Sequence, residues 1–210
     1  MNDAFLPESY EIPNKSNYTR LQNGENTLRI LEKPILGYEL WINNKPKRYK
    51  MGQDIPVSDV ESADIDKRTG LPKPPKHFWA MVVWNYDQNC LQVWEITQKK
   101  IMTSLKNSSK SKAWGSPLDY DISITKEGEG LDTDYSFMPN PKTKVSPKIM
   151  EAYKNAHIDV DKLFTGDDPF SVINDENQTK ESKRDNVSVV SEDEYMTSDE
   201  LEQVADDIPF

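Results

Sequence analysis

Eight residues, 77–84, constrain the fold of this chain more than any other stretch. As a strand they are apolar on both faces, with Phe78, Ala80, Val82 and Trp84 on one side and Trp79, Met81 and Val83 on the other. Trp79 and Trp84 therefore lie on opposite faces, and at least one of them is core; Trp84 is the better choice. A polar turn at Asp87-Gln88-Asn89 joins this strand to residues 91–96, making a hairpin.

Weaker signals flank the hairpin. Residues 27–31 are strand-like, break at Pro34 and resume over 35–42. A turn at Asn43-Asn44 leads into 45–51, an edge strand because Pro46 has no donor for a central ladder. Residues 52–76 form a polar loop ending in the stiff run Pro72-Lys73-Pro74-Pro75-Lys76. After the hairpin, Thr97 caps a short helix whose Ile101, Met102 and Leu105 share a face. Tyr120, Ile122 and Ile124 alternate with Asp119, Asp121 and Ser123, the pattern of a half-buried strand. Gly128 and Gly130 turn the chain into a last strand at Tyr135-Ser136-Phe137, and Ser146-Pro147 starts a helix packed through Ile149, Met150 and Tyr153. Five or so short strands, with one helix between the hairpin and the later strands, give a mainly β chain. The expected fold is an OB-fold, a five-stranded Greek-key barrel with short helices. A β-sandwich is the competing architecture.

Charge divides the chain in two. The whole carries 26 basic and 36 acidic side chains, a net of -10. Residues 165–210 hold 14 of those acids and 3 of the bases, so they stand at -11 and residues 1–164 at +1. No hydrophobic period survives in 165–210, which is expected to be a disordered acidic tail. It follows an N-terminal arm over 1–24 and the OB domain over 25–164. The body is then free to be locally basic. A single cysteine, Cys90, excludes an intramolecular disulfide and a thiolate-rich zinc site, and it suits a buried strand position. With only His77 and His157 beside it, no metal and no cofactor are expected. Neither an apolar leader nor an apolar run of about 18 residues occurs, which points away from membranes and towards the cytoplasm, the chain's own cell or a host's.

The body mixes aromatic with basic side chains. Five Trp, nine Tyr and six Phe are more than a compact core in so polar a chain needs. Trp41 precedes Lys45, Lys47, Arg48, Tyr49 and Lys50; Phe78 and Trp79 follow Lys73 and Lys76; Trp94 precedes Lys99 and Lys100. Between Glu95 and Asp119 every charged residue is a lysine, and Trp114 follows them. Cations track a phosphate backbone, and ring faces stack on unpaired bases at roughly 1–3 kcal/mol each. A duplex hides those faces, so the mixture selects single strands. The candidate DNA-binding residues are Trp41, Lys47, Arg48, Tyr49, Lys76, Phe78, Trp79, Trp94, Lys99, Lys100, Tyr135 and Phe137. For each ring the competing role is core packing, and for the lysines an ordinary solvated surface.

Catalysis finds little here. Asp119/Asp121 and Asp132/Asp134 are i, i+2 pairs that a strand puts on one face, to hold a divalent metal or simply to face solvent. Gly128-Glu129-Gly130 lacks the rest of a dinucleotide fingerprint, and no Walker-type loop occurs. Two histidines build no nucleophile–base arrangement. The chain reads as no enzyme.

The last five residues, Asp206-Asp207-Ile208-Pro209-Phe210, form a peptide ligand, with acids for a basic rim and Ile208 and Phe210 for an apolar socket. They resemble the acidic tip of bacterial single-stranded DNA-binding proteins, which implies recruitment of replication and repair enzymes. An acidic, solubilising end is the plainer alternative.

A second resemblance lies in the body. Phe78-Trp79-Ala80, the stretch 93–101 ending in Lys99-Lys100-Ile101, Pro117-Leu118-Asp119-Tyr120-Asp121-Ile122 and Gly130-Leu131-Asp132-Thr133-Asp134-Tyr135 are similar, in that order, to the central domain of phage helix-destabilising proteins of the T4 type. Upstream, 21–31 resembles the start of the first barrel strand in the same proteins. The stretch from Lys76 to Pro139 that holds the first four pieces, together with 21–31, covers a little over a third of the chain. The resemblance implies an OB-fold that coats single-stranded DNA, with Phe78 stacking on a base, Tyr135 and Phe137 lining the same groove, and Lys99 and Lys100 meeting phosphates. Two departures stand out: the zinc subdomain of that family has no ligand set here, and residues 1–20 offer only Lys15 and Arg20 where the family has a basic cluster for cooperative binding.

The expectation is a sequence-independent single-stranded DNA-binding protein of phage DNA replication, recombination and repair, with a monomer as the favoured state. Its tail recruits replication and recombination proteins, phage or host, and competes with DNA for the groove. An RNA-binding OB module and a protein-only acidic adaptor are the rivals, with a metal-dependent nuclease more distant.

Overall fold

The computed structural model describes residues 16–171, whose strands form one antiparallel sheet of seven. β1 (Gly24–Ile30) and β2 (Ile35–Ile42) lie end to end along one edge of the long central β4 (Lys76–Asn85): Leu28 to Ile30 pair with Asn85 to Val83, and Ile35 to Glu39 pair with Ala80 to Lys76. Between them the chain breaks at Pro34, which has no N–H to give. Glu32 completes the ladder there. Its Oε1 accepts from the Val82 amide at 3.1 Å, and its Oε2 accepts from the Tyr153 hydroxyl at 2.7 Å.

β3 (Lys45–Lys50) folds back on β2 through Asn43 and Asn44, whose φ values of 53° and 58° belong to a two-residue turn of the I′ kind. Pro46 thereby sits on the outermost strand, where its missing donor costs no ladder bond. β5 (Cys90–Ile96) pairs the other edge of β4, β6 (Tyr120–Glu127) pairs β1, and β7 (Asp134–Lys142) pairs β6. Cys90 opens β5 at the hairpin end and is half-buried rather than buried.

Both faces of β4 are covered, as its two apolar stripes require. The inner stripe, Met81 and Val83, meets Leu28, Ile30, Trp94, Ile96, Ile122 and Ile124 in the larger core. The outer stripe, Phe78, Ala80 and Val82, packs with Val93 and with Val160 and Leu163. A third, small core of Leu40, Tyr49 and Ala63 lies by α1 (Val57–Glu61), a helix within the loop 52–76. Trp84 is 7% exposed, as expected for the core member of the tryptophan pair. α2 (Lys99–Lys110) plugs the larger core with Ile101, Met102 and Leu105; its cap position falls on Gln98, not Thr97. α3 (Pro147–Ala156) starts as expected, with Ser146 Oγ accepting from the Ile149 amide at 3.3 Å.

A 3-10 turn, Val160–Phe164, then supplies the cover of the outer core, and the chain stays packed beyond it. The Asp159 amide donates to the Pro169 carbonyl at 3.0 Å, Lys162 Nζ donates to the Ser171 carbonyl at 2.5 Å, and Phe170 packs on the outer core. Residues 165–171, assigned to the tail by the charge count, are therefore held against the body. At the other end, the Thr19 amide donates to the Val93 carbonyl at 2.9 Å, so the N-terminal segment borders the free edge of β5. Residues 1–15 and 172–210, with the tip Asp206-Asp207-Ile208-Pro209-Phe210, lie outside the described residues. Among the described residues no helix is long and apolar enough to cross a membrane, and no three His, Cys, Asp or Glu side chains gather as a metal site.

Candidate nucleic-acid interface

Alternation along the strands decides which candidates share a surface. Tyr38 of β2 sits opposite His77 of β4, with Trp79 two residues on, all on the inner side. Lys76 and Phe78 of β4, Trp41 of β2 and Arg48 of β3 take the outer side.

On the inner side, Tyr38, His77 and Trp79 form a row of half-buried rings. Ring centroids are 5.4 Å apart between Tyr38 and His77, and 6.5 Å apart between His77 and Trp79, whose planes meet at 85°. Hydrogen bonds fix the middle ring. His77 Nδ1 lies 2.8 Å from the Gly37 carbonyl, an acceptor, so Nδ1 carries the proton; Nε2 then accepts from Trp79 Nε1 at 2.9 Å. A neutral imidazole thus holds the indole at a set angle.

Beyond Trp79 the row opens into a cleft of about 230 Å³ walled by Pro34, Met81, Leu105 and Trp79, with Lys33 and Lys106 also lining it. α2 carries Lys99, Lys106 and Lys110 at i, i+7 and i+11, one exposed stripe on a helix of 3.6 residues per turn. Its first turn holds no acid, so the partial positive charge of the helix amino end adds to that of Lys99 and Lys100. Lys100 also reaches Asp134 at 2.5 Å and holds that carboxyl below its usual range, tying α2 to β7.

The structure places the other candidates elsewhere. Phe78 is 0% exposed beneath Phe164, with ring centroids 5.9 Å apart, and offers no face to a base. Trp94, at 2%, is a wall of the larger core. Tyr49, at 5%, belongs to the third core and donates its hydroxyl to Asp59, which Lys47 also contacts at 2.8 Å. Arg48 is engaged by carboxylates, Glu95 at 2.7 Å and Glu39 at 3.7 Å. Burial raises the Glu39 pKa against the pull of Arg48 and, more weakly, of half-buried Lys76. Trp41 is half-buried on that outer face. Tyr135 and Phe137 are half-buried against the larger core, and burial raises the Tyr135 pKa. The grouping of Phe78 with Tyr135 and Phe137 in one groove is therefore split between the two cores, because β4 alternates.

The paired aspartates are tied up as well. Asp121 accepts from Arg29 and from the Tyr86 hydroxyl, both at 3.1 Å, and Asp119 lies 3.9 Å from Lys142. Asp132 ends a 3-10 turn, Gly130–Asp132, rather than sharing a strand with Asp134.

The chain is similar to a probable ssDNA-binding protein of Escherichia phage T5. The two are 27% identical over 140 residues, 58% of this chain and 54% of the relative, so the chain spans about half the length of the relative it matches. No protein-family model matches the sequence, and no solved structure matches it.

Lys33, Tyr38, His77, Lys106 and Lys110 join the candidate interface without having stood among the sequence candidates. The two lysines of α2 were within reach, since helical spacing from Lys99 points to them. Tyr38 and His77 were not, because their meeting depends on the register between β2 and β4, which neither strand states alone.

Proposed function

We propose that this chain binds single-stranded DNA, without catalysis and without reading sequence. The observation that carries this is the row Tyr38–His77–Trp79 running into a cleft beside an acid-free stripe of lysines. Half-exposed rings suit unpaired bases and the lysines suit phosphates, the two requirements of a single-strand site. The name of the T5 relative supports the same class of ligand.

The finer features extend that proposal. An OB-type barrel is supported by the order β5-β4-β1-β6-β7 and by α2 lying between β5 and β6 in sequence. In this view β2 continues β1 as one bent strand, β3 is an added hairpin arm, and β5 and β7 face each other across the gap beside α2. The chain coats single strands in phage DNA replication, recombination and repair within the host cell, acting as a monomer. Its acidic C-terminal segment recruits partner enzymes through Asp206, Asp207, Ile208, Pro209 and Phe210 and competes with DNA for the lysines. Titrating the tryptophan fluorescence with matched DNA and RNA single strands and a duplex tests the proposal: DNA single strands are expected to bind best, and preference for RNA or duplex would contradict it.

A further inference from the structure

We infer that the cleft beside Trp79 takes one nucleobase out of the bound strand and holds it without regard to its identity. The inference rests on the single-strand assignment above and adds to it a defined subsite. The cleft, of roughly 230 Å³, has room for a planar base. Its walls are apolar, from Ile30, Pro34, Met81, Leu105 and Leu118, with the Trp79 ring among them. Exposed Lys33 and Lys106 line it too, and Lys110 follows one helical turn beyond Lys106. Such an opening suits an apolar ring carried on a polyanion, and it is less suited to a neutral apolar ligand, which has no use for the lysines.

The polar groups in the wall explain why the subsite does not discriminate. Glu32, the carboxylate of the lining, already accepts from the Val82 amide on one oxygen and from the Tyr153 hydroxyl on the other. The Trp79 N–H is taken by His77. Ser109 donates its hydroxyl to the Lys106 carbonyl at 2.8 Å, and Ser116 Oγ accepts from the Leu118 amide at 3.3 Å. Neither an amide side chain nor an uncommitted carboxylate lines the cleft to read the hydrogen-bonding edge of a base. What remains is stacking and apolar contact, which every base can make.

The test uses the full chain and fills the cleft from its exposed lips, with Ser109→Trp and, independently, Ser116→Trp. Affinity is read by fluorescence anisotropy for a labelled oligo-dT and for an abasic backbone of equal length, with thermal melting as a control on folding. Wild type is expected to bind oligo-dT more than about 10-fold tighter than the abasic strand, since the row of rings and the cleft all lose their bases, and to bind dT, dA and dC strands within about 3-fold of one another. Filling the cleft is expected to cut that advantage by about 10-fold, within the worth of one stacking contact, and to leave the abasic affinity unchanged. Folded variants that bind oligo-dT as wild type does, or lose affinity for both strands alike, would overturn the subsite, as would a preference above about 10-fold for one base. If wild type binds neither strand, the single-strand assignment fails first, a result distinct from the others.

Discussion

Phe78 and Trp79 are neighbours in sequence with opposite environments, and this pair separates stability from binding. Phe78→Ala empties the outer core under Phe164 and is expected to cost about 3–5 kcal/mol, read as a large fall in Tm. Trp79→Ala strips a half-exposed ring and is expected to weaken single-strand binding by roughly 1–3 kcal/mol with the smaller fall in Tm. The reverse pattern would mean that the functional face is the outer one. Glu39 gives a second prediction at this scale. Its pKa is raised from 4.5, chiefly by burial, so the folded chain keeps a proton that the unfolded chain has released, and stability falls as pH rises through that window. Asp59 and Asp134 are lowered from 3.8 by Lys47 and Lys100, so their contribution has the opposite sign and is lost only in stronger acid. Glu39→Gln leaves Arg48 with Glu95 and is expected to flatten the decline of Tm above pH 4.5; parallel curves for variant and wild type would contradict this.

At the scale of the element, α2 is the piece whose sequence and proposed role agree most closely. One side, Ile101, Met102 and Leu105, closes the larger core, and the exposed stripe of Lys99, Lys106 and Lys110 faces solvent. Replacing those three lysines by alanine is expected to lower the slope of log affinity against log salt by about 2, at ~0.7 per phosphate contact on a single strand. An unchanged slope would place the phosphates elsewhere. The strands were legible for a simple reason: period-two alternation and turn residues such as Asn43-Asn44 and Asp87-Gln88-Asn89 are local signals. The site was legible only in part. Of the sequence candidates, Trp79, Lys99 and Lys100 belong to the proposed interface, whereas Phe78, Trp94 and Tyr49 are core. Alternation tells which residues share a face and is silent on which face is covered. For Phe78 the cover is Val160, Leu163 and Phe164, some 80 residues away in a stretch without a strong period.

For the whole molecule, the packed body runs past residue 165, where charge alone divides the chain, through Phe170. Pro169 is buried and Phe170 packs on the outer core, while the acids that follow lie in 172–210. Ending the chain at residue 171 is expected to leave Tm unchanged and to tighten single-strand binding at low salt, because the competing acids are gone. Ending it at 164 is expected to lower Tm. Equal affinity for the 171-residue and full-length chains at every salt would remove the competition, though not the site.

The most direct measurement is the quenching of intrinsic tryptophan fluorescence by oligo-dT, against a duplex of equal length and at rising salt, in wild type and Trp79→Phe. Trp84 and Trp94 are 7% and 2% exposed, and of the half-buried Trp41, Trp79 and Trp114 it is Trp79 that lines the cleft. Strong quenching by the single strand, weak quenching by duplex, reversal by salt and loss of most of the signal in Trp79→Phe are the expected results. Absence of quenching at low salt, both in the full chain and in the chain ended at 171, would contradict single-strand binding at this face.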